Sequence, residues 1–247
     1  MVEMKNKLII WGVFMATLMS ALLGCEAVDK RATEPILTEL SAKYGESFTI
    51  YALGDRFNGD TATAYVYMND DPTLLFTARV NTAGTLLFDD YAYRNVCRKV
   101  ENMVNAEFSA QGLTSECFAD FWTMSNDISL DSTPLDFIGL YTPKSVAIML
   151  IIKSDENVTG ENIAQVYYRL YEQLAHIDLN TAVYILSAED YDRVAESVRL
   201  ETQAFNAYRL KVHGVVGEII GIDIQLTDGE LSETVAELAT KLAKGVT

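Results

Sequence analysis

The spacing of apolar and polar residues changes rhythm several times along the chain, and each change predicts an element. Leu8–Gly24 is an almost unbroken apolar run that stops at Cys25, after which "EAVDKRATEP" is polar and charged. From there the spacing becomes helical. Ile36, Leu37, Leu40 and Tyr44 share one stripe of "EPILTELSAKYG", and Gly45 suits its stop. Three strand-like runs follow: "SFTIYAL", "TATAYVYMN" and "LLFTARV". In the second, Ala62, Ala64, Val66 and Met68 alternate with Thr61, Thr63, Tyr65 and Tyr67, the period of a half-buried strand. "NDDPT" between the second and third, with Pro72 fixing φ, is turn chemistry, so an antiparallel meander is expected. A long helix over about Tyr91–Gln111 comes next, on the stripe Tyr93, Val96, Val100, Val104 and Phe108, closed by Gly112.

"SECFADFWTM" reads as another strand, and "SNDISLDSTPLDFIGLYTPKS" as a long irregular connection, either a boundary or a functional loop. The remainder alternates. "VAIMLII" has the length and continuity of a strand buried on both faces. It precedes a helix with Ile163, Val166, Leu170 and Leu174, the strand "TAVYIL", and a helix with Tyr191, Val194, Val198, Phe205 and Tyr208. In "VVGEIIGIDIQL", Ile220, Ile222, Ile224 and Leu226 face opposite to Gly221, Asp223 and Gln225. The last helix carries Leu231, Val235, Leu238 and Leu242, with Thr227 and Glu230 at capping-box spacing before it. No internal repeat is visible. The expected fold is α+β: an N-terminal helix, antiparallel meander and long helix, then a β-α-β-α-β-α half in two or three layers. The expected organisation is a leader at 1–24, a tether at 25–34, a first α/β module at 35–125, a connection at 126–145 and a second α/β module at 146–247.

The N-terminus carries the most specific pattern. Lys5 and Lys7 precede the apolar run, which is slightly short of the roughly 20 residues a membrane-spanning helix needs and is interrupted by Gly12, Thr17 and Ser20. Leu22, Leu23, Gly24 and Cys25 resemble the lipobox of bacterial lipoproteins, a branched apolar residue, a variable one, a small one, then cysteine. The resemblance implies that the Cys25 thiol receives a diacylglyceryl group and becomes the mature N-terminus. The protein would then be anchored to the cell membrane on its extracytoplasmic side, since two acyl chains hold where one binds only marginally. A second resemblance covers about residues 35–110. "KYGESFTI", with strands after it and "DDY" opening a helix, is similar to small secreted or lipid-anchored bacterial proteins of unknown function. It implies an α/β module outside the cell and no catalytic residue.

Charge changes the choice of partners. The chain has 247 residues and a net charge of −16; a 24-residue leader holding Lys5, Lys7 and Glu3 leaves 223 residues at −17. Such a surface repels polyphosphate, which argues against nucleic acid. Cys97 and Cys117 are the two cysteines besides Cys25, and outside the cytoplasm they are a candidate disulfide; the competing reading is two buried thiols. Two cysteines and two histidines without close spacing do not suggest zinc.

Candidate chemistry is sparse. A nucleophile–histidine site must use His176 or His213, both expected in loops, and no G-x-S-x-G surrounds a serine. "DENVTGE" starts like a calcium loop at Asp155, Asn157 and Gly160, but the twelfth position is Val166 where a bidentate Glu is needed; Thr159 as a helix cap is the simpler reading. Asp89 and Asp90 precede a helix, where carboxylates favour spare N–H groups, and the functional alternative is a catalytic or metal-binding carboxylate pair. Tyr51, Tyr65 and Tyr67 could present an aromatic binding face or simply pair across strands. No catalytic residue, cofactor or metal is assigned. The function expected is a membrane-anchored binding or assembly module for an envelope protein, a peptide or a glycan; the alternative is an extracytoplasmic hydrolase using carboxylates.

Overall fold

Residues 30–34, expected at the end of the tether, are already helical. Helix α1 covers 30–44 of the computed structural model, which describes residues 30–56, 59–123, 128–201, 212–216 and 221–245. Ala32, Ile36 and Leu40, spaced by four, are fully buried, while Lys30, Arg31 and Glu34 are exposed, so the apolar stripe runs one turn further back than Ile36. The charges there are the outer face of a helix, not a tether. The leader, the lipobox and Cys25 lie outside the described residues, among which no helix is long and apolar enough to cross a membrane.

Two units make up the described chain. One comprises 30–70 with Thr77–Asp89, the other Asp71–Phe76 with everything from Asp90 onward. The division therefore falls before the long helix, and not in 126–145 as expected. Strands β1 (Phe48–Arg56), β2 (Thr61–Met68), β3 (Asp71–Asn81) and β4 (Leu86–Asp89) lie in the order β1-β2-β3-β4, all in the first unit except the Asp71–Phe76 part of β3. The expected meander thus gains a fourth, four-residue strand too short to show a period. Ala62, Ala64 and Val66 are fully buried and alternate with half-buried Thr63, Tyr65 and Tyr67, as the sequence predicted.

The second unit is built on a five-stranded mixed sheet. Helix α2 (Tyr91–Ala110) is followed by β5 (Ser115–Asp120), α3 (Pro134–Tyr141), β6 (Ser145–Lys153), α4 (Gly160–Gln173), β7 (Asp178–Leu186), α5 (Ala188–Glu201), a helical stretch α6 at 212–216, β8 (Ile222–Thr227), β9 (Glu230–Leu231) and α7 (Val235–Gly245). The strand order is β5-β6-β7-β8-β9; β6 and β7 run parallel, and the other pairings are antiparallel. The fold is α+β.

Two local expectations are corrected here. The supposed connection contains α3, opened by a complete capping box. The Thr133 hydroxyl accepts from the Asp136 N–H at 3.1 Å, the Asp136 carboxylate accepts from the Thr133 N–H at 2.8 Å, and Pro134 opens the helix. Thr227 and Glu230 do not cap α7; they flank Asp228 and Gly229, both at positive φ, which turn β8 into β9 as a two-residue hairpin. The cap of α7 is Thr234 with Glu237, whose carboxylate accepts from the Thr234 N–H at 2.9 Å.

The candidate disulfide is not formed. Cys97 on α2 and Cys117 on β5 are separate buried thiols in one apolar core. Burial pushes the Cys97 thiol up to about 12 and the Cys117 thiol well above its ordinary value. The Cys117 thiol donates to the Glu101 carbonyl at 3.5 Å. Both are small hydrophobes of the core.

Candidate functional site

The two faces of the five-stranded sheet are unlike. On one, Ile148, Leu150, Leu179, Val183, Ile224 and Leu226 pack with α2, α4 and α7 in a continuous core, every one of them 1% exposed or less. On the other, Phe118, Met149, Ile151, Tyr184 and Leu186 are covered by Tyr191, Val194 and Ala195 of α5 and Val212 of α6. Among the described residues that cover stops part-way along the strands. Beyond it the inward-pointing residues become small or polar, and a concave pocket of about 400 Å³ opens.

The register explains the pocket. Ala147 of β6 pairs with Asn180 of β7, and Asn180 with Gln225 of β8; one pleat on, Met149 pairs with Ala182, and Ala182 with Asp223. Ala147, Ala182 and Gly221 therefore make a floor with almost no side chain. Asn180, Asp223 and Gln225 rise from it as a polar wall, and Met149 and Tyr184 bound the side toward α5. A Cβ at Gly221 would sit 3.0 Å from Cε1 of the Tyr184 ring, so any larger residue there would push that ring aside by a few tenths of an ångström. His213, expected in a loop, lies in α6, and its ring meets the Tyr184 ring edge-on at 5.7 Å. The side chains of Asn180, Asp223 and Gln225 hydrogen-bond no other group of the described residues.

Trp122 completes the lining. It follows β5, is 63% exposed and has φ of 55°, a left-handed conformation that a bulky residue rarely adopts. Its neighbour holds it there. One oxygen of Asp120 accepts both from the Trp122 N–H at 2.6 Å and from the Tyr93 hydroxyl at 2.8 Å. Burial, with Cys97 and Asp120 adding negative charge, raises the Tyr93 phenol far above its ordinary value, so it stays a donor.

Tyr93 belongs to a larger α2 arrangement along β5. The Glu101 carboxylate accepts from the Ala119 N–H at 3.1 Å, Arg94 donates to the Ala119 carbonyl at 3.0 Å, and the Tyr93 oxygen accepts from the Phe121 N–H at 3.0 Å. These are backbone groups on the side of β5 away from β6, so helix side chains stand where a further strand would. Arg94 and Glu101, each 4% exposed, pair at 2.9 Å; Arg98 reaches the second Glu101 oxygen at 3.2 Å, and the Arg94 guanidinium lies 4.4 Å over the Phe118 ring. Burial opposes the Arg94 charge, but Glu101 outweighs it and holds Arg94 firmly protonated.

The residues singled out by sequence fall elsewhere. Asp89 is buried in the first unit, with one oxygen accepting from Lys43 at 2.8 Å and the other from the Tyr44 hydroxyl at 2.5 Å. It ties β4 to α1. Asp90 stands at the N-cap of α2 but makes no side-chain cap bond. The two do not present a joint pair of open carboxylates. Tyr65 and Tyr67 share the outer face of β2, with Tyr67 opposite Thr49 and the Tyr65 ring over Gly54, where a Cβ would lie 3.1 Å from Cε2. Tyr51 is exposed and falls at a register shift between Ile50 and Ala52, so the three tyrosines do not form a single row. His176 is exposed at the end of α4, 3.0 Å from Glu172. Thr159 caps α4 as expected, accepting from the Asn162 N–H. Among the described residues no group of three or more His, Cys, Asp or Glu is placed to hold a metal ion.

No family model matches this chain, and no curated protein is similar to it. Among solved structures it is similar to the crystal structure of a DUF5037 family protein from Ruminococcus gnavus ATCC 29149, at a TM-score of 0.70 and 16% identity, over 86% of this chain and 99% of that one. At that identity the likeness is one of fold alone.

Proposed function

We propose that this chain is a membrane-anchored extracytoplasmic lipoprotein that works as a binding module, and that its ligand enters the pocket on the partly covered face of the five-stranded sheet. One observation carries the binding part: an exposed indole is held in a strained backbone conformation at a concave pocket where the side chains of Asn180, Asp223 and Gln225 hydrogen-bond no other group of the described residues. Backbone strain costs stability and persists where function uses it, and the polar side chains beside it, with Asp223 and Gln225 exposed to water, stand open to a ligand. The volume lies within the ordinary range for small-molecule sites, about 300 to 1,000 Å³. Hydrolysis by carboxylates needs two acids set about 5 to 9 Å apart around the scissile bond, and among the described residues Asp223 is the one acid lining this pocket. The anchor rests on Lys5, Lys7, the apolar run and Leu22–Cys25. An anchored module meets other envelope components at raised local concentration.

The test uses a built-in reporter. Of the two tryptophans, Trp11 lies in the leader, so Trp122 is the single indole of the processed protein. Mature protein is titrated with fractions of envelope extract while Trp122 emission and the unfolding midpoint are followed. A fraction that shifts both in wild type, and raises the midpoint much less in Trp122→Ala, is the expected result. No shift with any fraction, or product turnover abolished by Asp223→Asn, overturns the binding reading. The anchor is tested separately: Cys25→Ser should leave the membrane fraction or retain its leader.

A further inference from the structure

We infer that the pocket takes a neutral sugar ring, stacked on Trp122 with its hydroxyls held by Asn180, Asp223 and Gln225; this rests on the binding reading above and names its ligand class. The argument is an inventory of donors and acceptors. Asn180 and Gln225 each offer an amide carbonyl and an NH₂ group, and Asp223 offers acceptors alone. A ligand that buries all three must both donate and accept. An ammonium donates only, and leaves the four amide N–H bonds of Asn180 and Gln225 unanswered. A hydrocarbon answers none of the three, at the cost of burying unpaired polar groups. An anion meets a lining that, among the described residues, holds one carboxylate and no basic side chain, on a chain of net charge −16. A hydroxyl donates one hydrogen bond and accepts others, and a sugar carries several on one ring.

Spacing agrees with chemistry. Asn180 and Gln225 are directly opposite across β7 and β8, which puts their Cβ atoms about 5 Å apart. Asp223 is two residues from Gln225 on the same face, about 7 Å along the strand. That triangle matches the breadth of a six-membered ring with its hydroxyls. The apolar side is supplied as well. Trp122 offers a flat exposed surface for the C–H face of a ring, and the floor of Ala147, Ala182 and Gly221 leaves room for it.

The experiment titrates mature protein, kept soluble in a polyoxyethylene detergent that carries no sugar, with maltotriose, cellotriose, xylotriose and diacetylchitobiose, and with spermidine and glucuronate. Trp122 emission and calorimetry are read together. The expected result is a saturable change with at least one of the four neutral saccharides, with affinity falling about tenfold or more in Asn180→Ala and in Gln225→Ala. Both variants should unfold at the wild-type midpoint, since neither side chain hydrogen-bonds another group of the described residues. If spermidine or glucuronate binds and no neutral saccharide does, the sugar assignment is wrong while the binding module stands. If none of the six probes binds, the sugar assignment is also wrong, and the envelope-extract titration alone then decides the binding reading. Saccharide binding that both variants leave unchanged places the sugar elsewhere and overturns the assignment to this pocket.

Discussion

One sheet in this protein has two faces made to different rules. Under α2, α4 and α7, strands β6, β7 and β8 present Ile148, Leu150, Val183 and Ile224 to a closed core. On the reverse, the same strands present Ala147, Ala182, Asn180, Asp223 and Gln225 around a cavity. Alternation forces this, because neighbours in a strand point to opposite faces. Ala182 and Val183 are one residue apart and serve opposite ends. The closed face therefore carries stability, and the reverse face can turn polar side chains such as Asp223 and Gln225 to water without unfolding the sheet.

The contrast can be broken most forcefully at the edge that joins the two faces. Glu101→Ala leaves Arg94 buried without its partner and strips the Ala119 N–H of its acceptor, and should cost about 3–5 kcal/mol, read from the urea midpoint. Leu150→Ala, on the closed face, should cost about 2–5 kcal/mol. Asp120→Ala removes the shared acceptor of Trp122 and Tyr93, and should cost about 1–3 kcal/mol. That variant should also change the Trp122 emission and weaken ligand binding, although Asp120 does not line the pocket. On the reverse face, Ala182→Leu should change stability by no more than about 0.5 kcal/mol while it fills the floor and abolishes binding. Equal losses in Leu150→Ala and Ala182→Leu would mean the two faces do not divide the work as described.

The smallest effect concerns pH. Hydrogen bonds from Thr133 hold the Asp136 carboxyl below its ordinary range at the start of α3. A carboxyl depressed in the folded state contributes stability that is present above its unfolded pKa, about 4, and is lost as pH falls through the folded value. The difference in unfolding midpoint between wild type and Asp136→Asn should thus be largest near pH 6 and shrink on acidification below about pH 4. A difference that stays constant would remove the charge from the account of this cap.

Sequence periodicity went far with the closed face and not far with the other. The stripe Val96, Val100, Val104 and Phe108, the run "VAIMLII" and the alternation at Ile222, Ile224 and Leu226 all became core, because apolar spacing is read one element at a time. Asp223 and Gln225 were even placed opposite those isoleucines. What one strand does not reveal is its neighbours. Asn180 faces Gln225 only through the register of β7 against β8, and the small floor emerges only when three strands are aligned. Trp122 gave no signal beyond its type, since its left-handed backbone depends on Asp120, and Asp120 on Tyr93 of α2. Pattern matching also took the first Thr-x-x-Glu it met. Thr227 and Glu230 surround Asp-Gly, which makes a hairpin, whereas Thr133–Asp136 and Thr234–Glu237 make the caps. Cys97 and Cys117 satisfied the arithmetic of a bridge, but each is a buried thiol in the α2–β5 core.

The side chains that α2 lays along β5 have a further consequence, for how copies of the protein meet. An unpaired strand edge is a template on which another chain can add, and sheets grow into aggregates from such edges. Here Tyr93, Arg94 and Glu101 occupy the backbone groups of Ala119 and Phe121 that a visiting strand would need, and the opposite end of the sheet is β9, two residues long. At Ala119 and the Phe121 N–H the edge of β5 is thus already occupied, and the outermost strand at the other end is too short to template a long one.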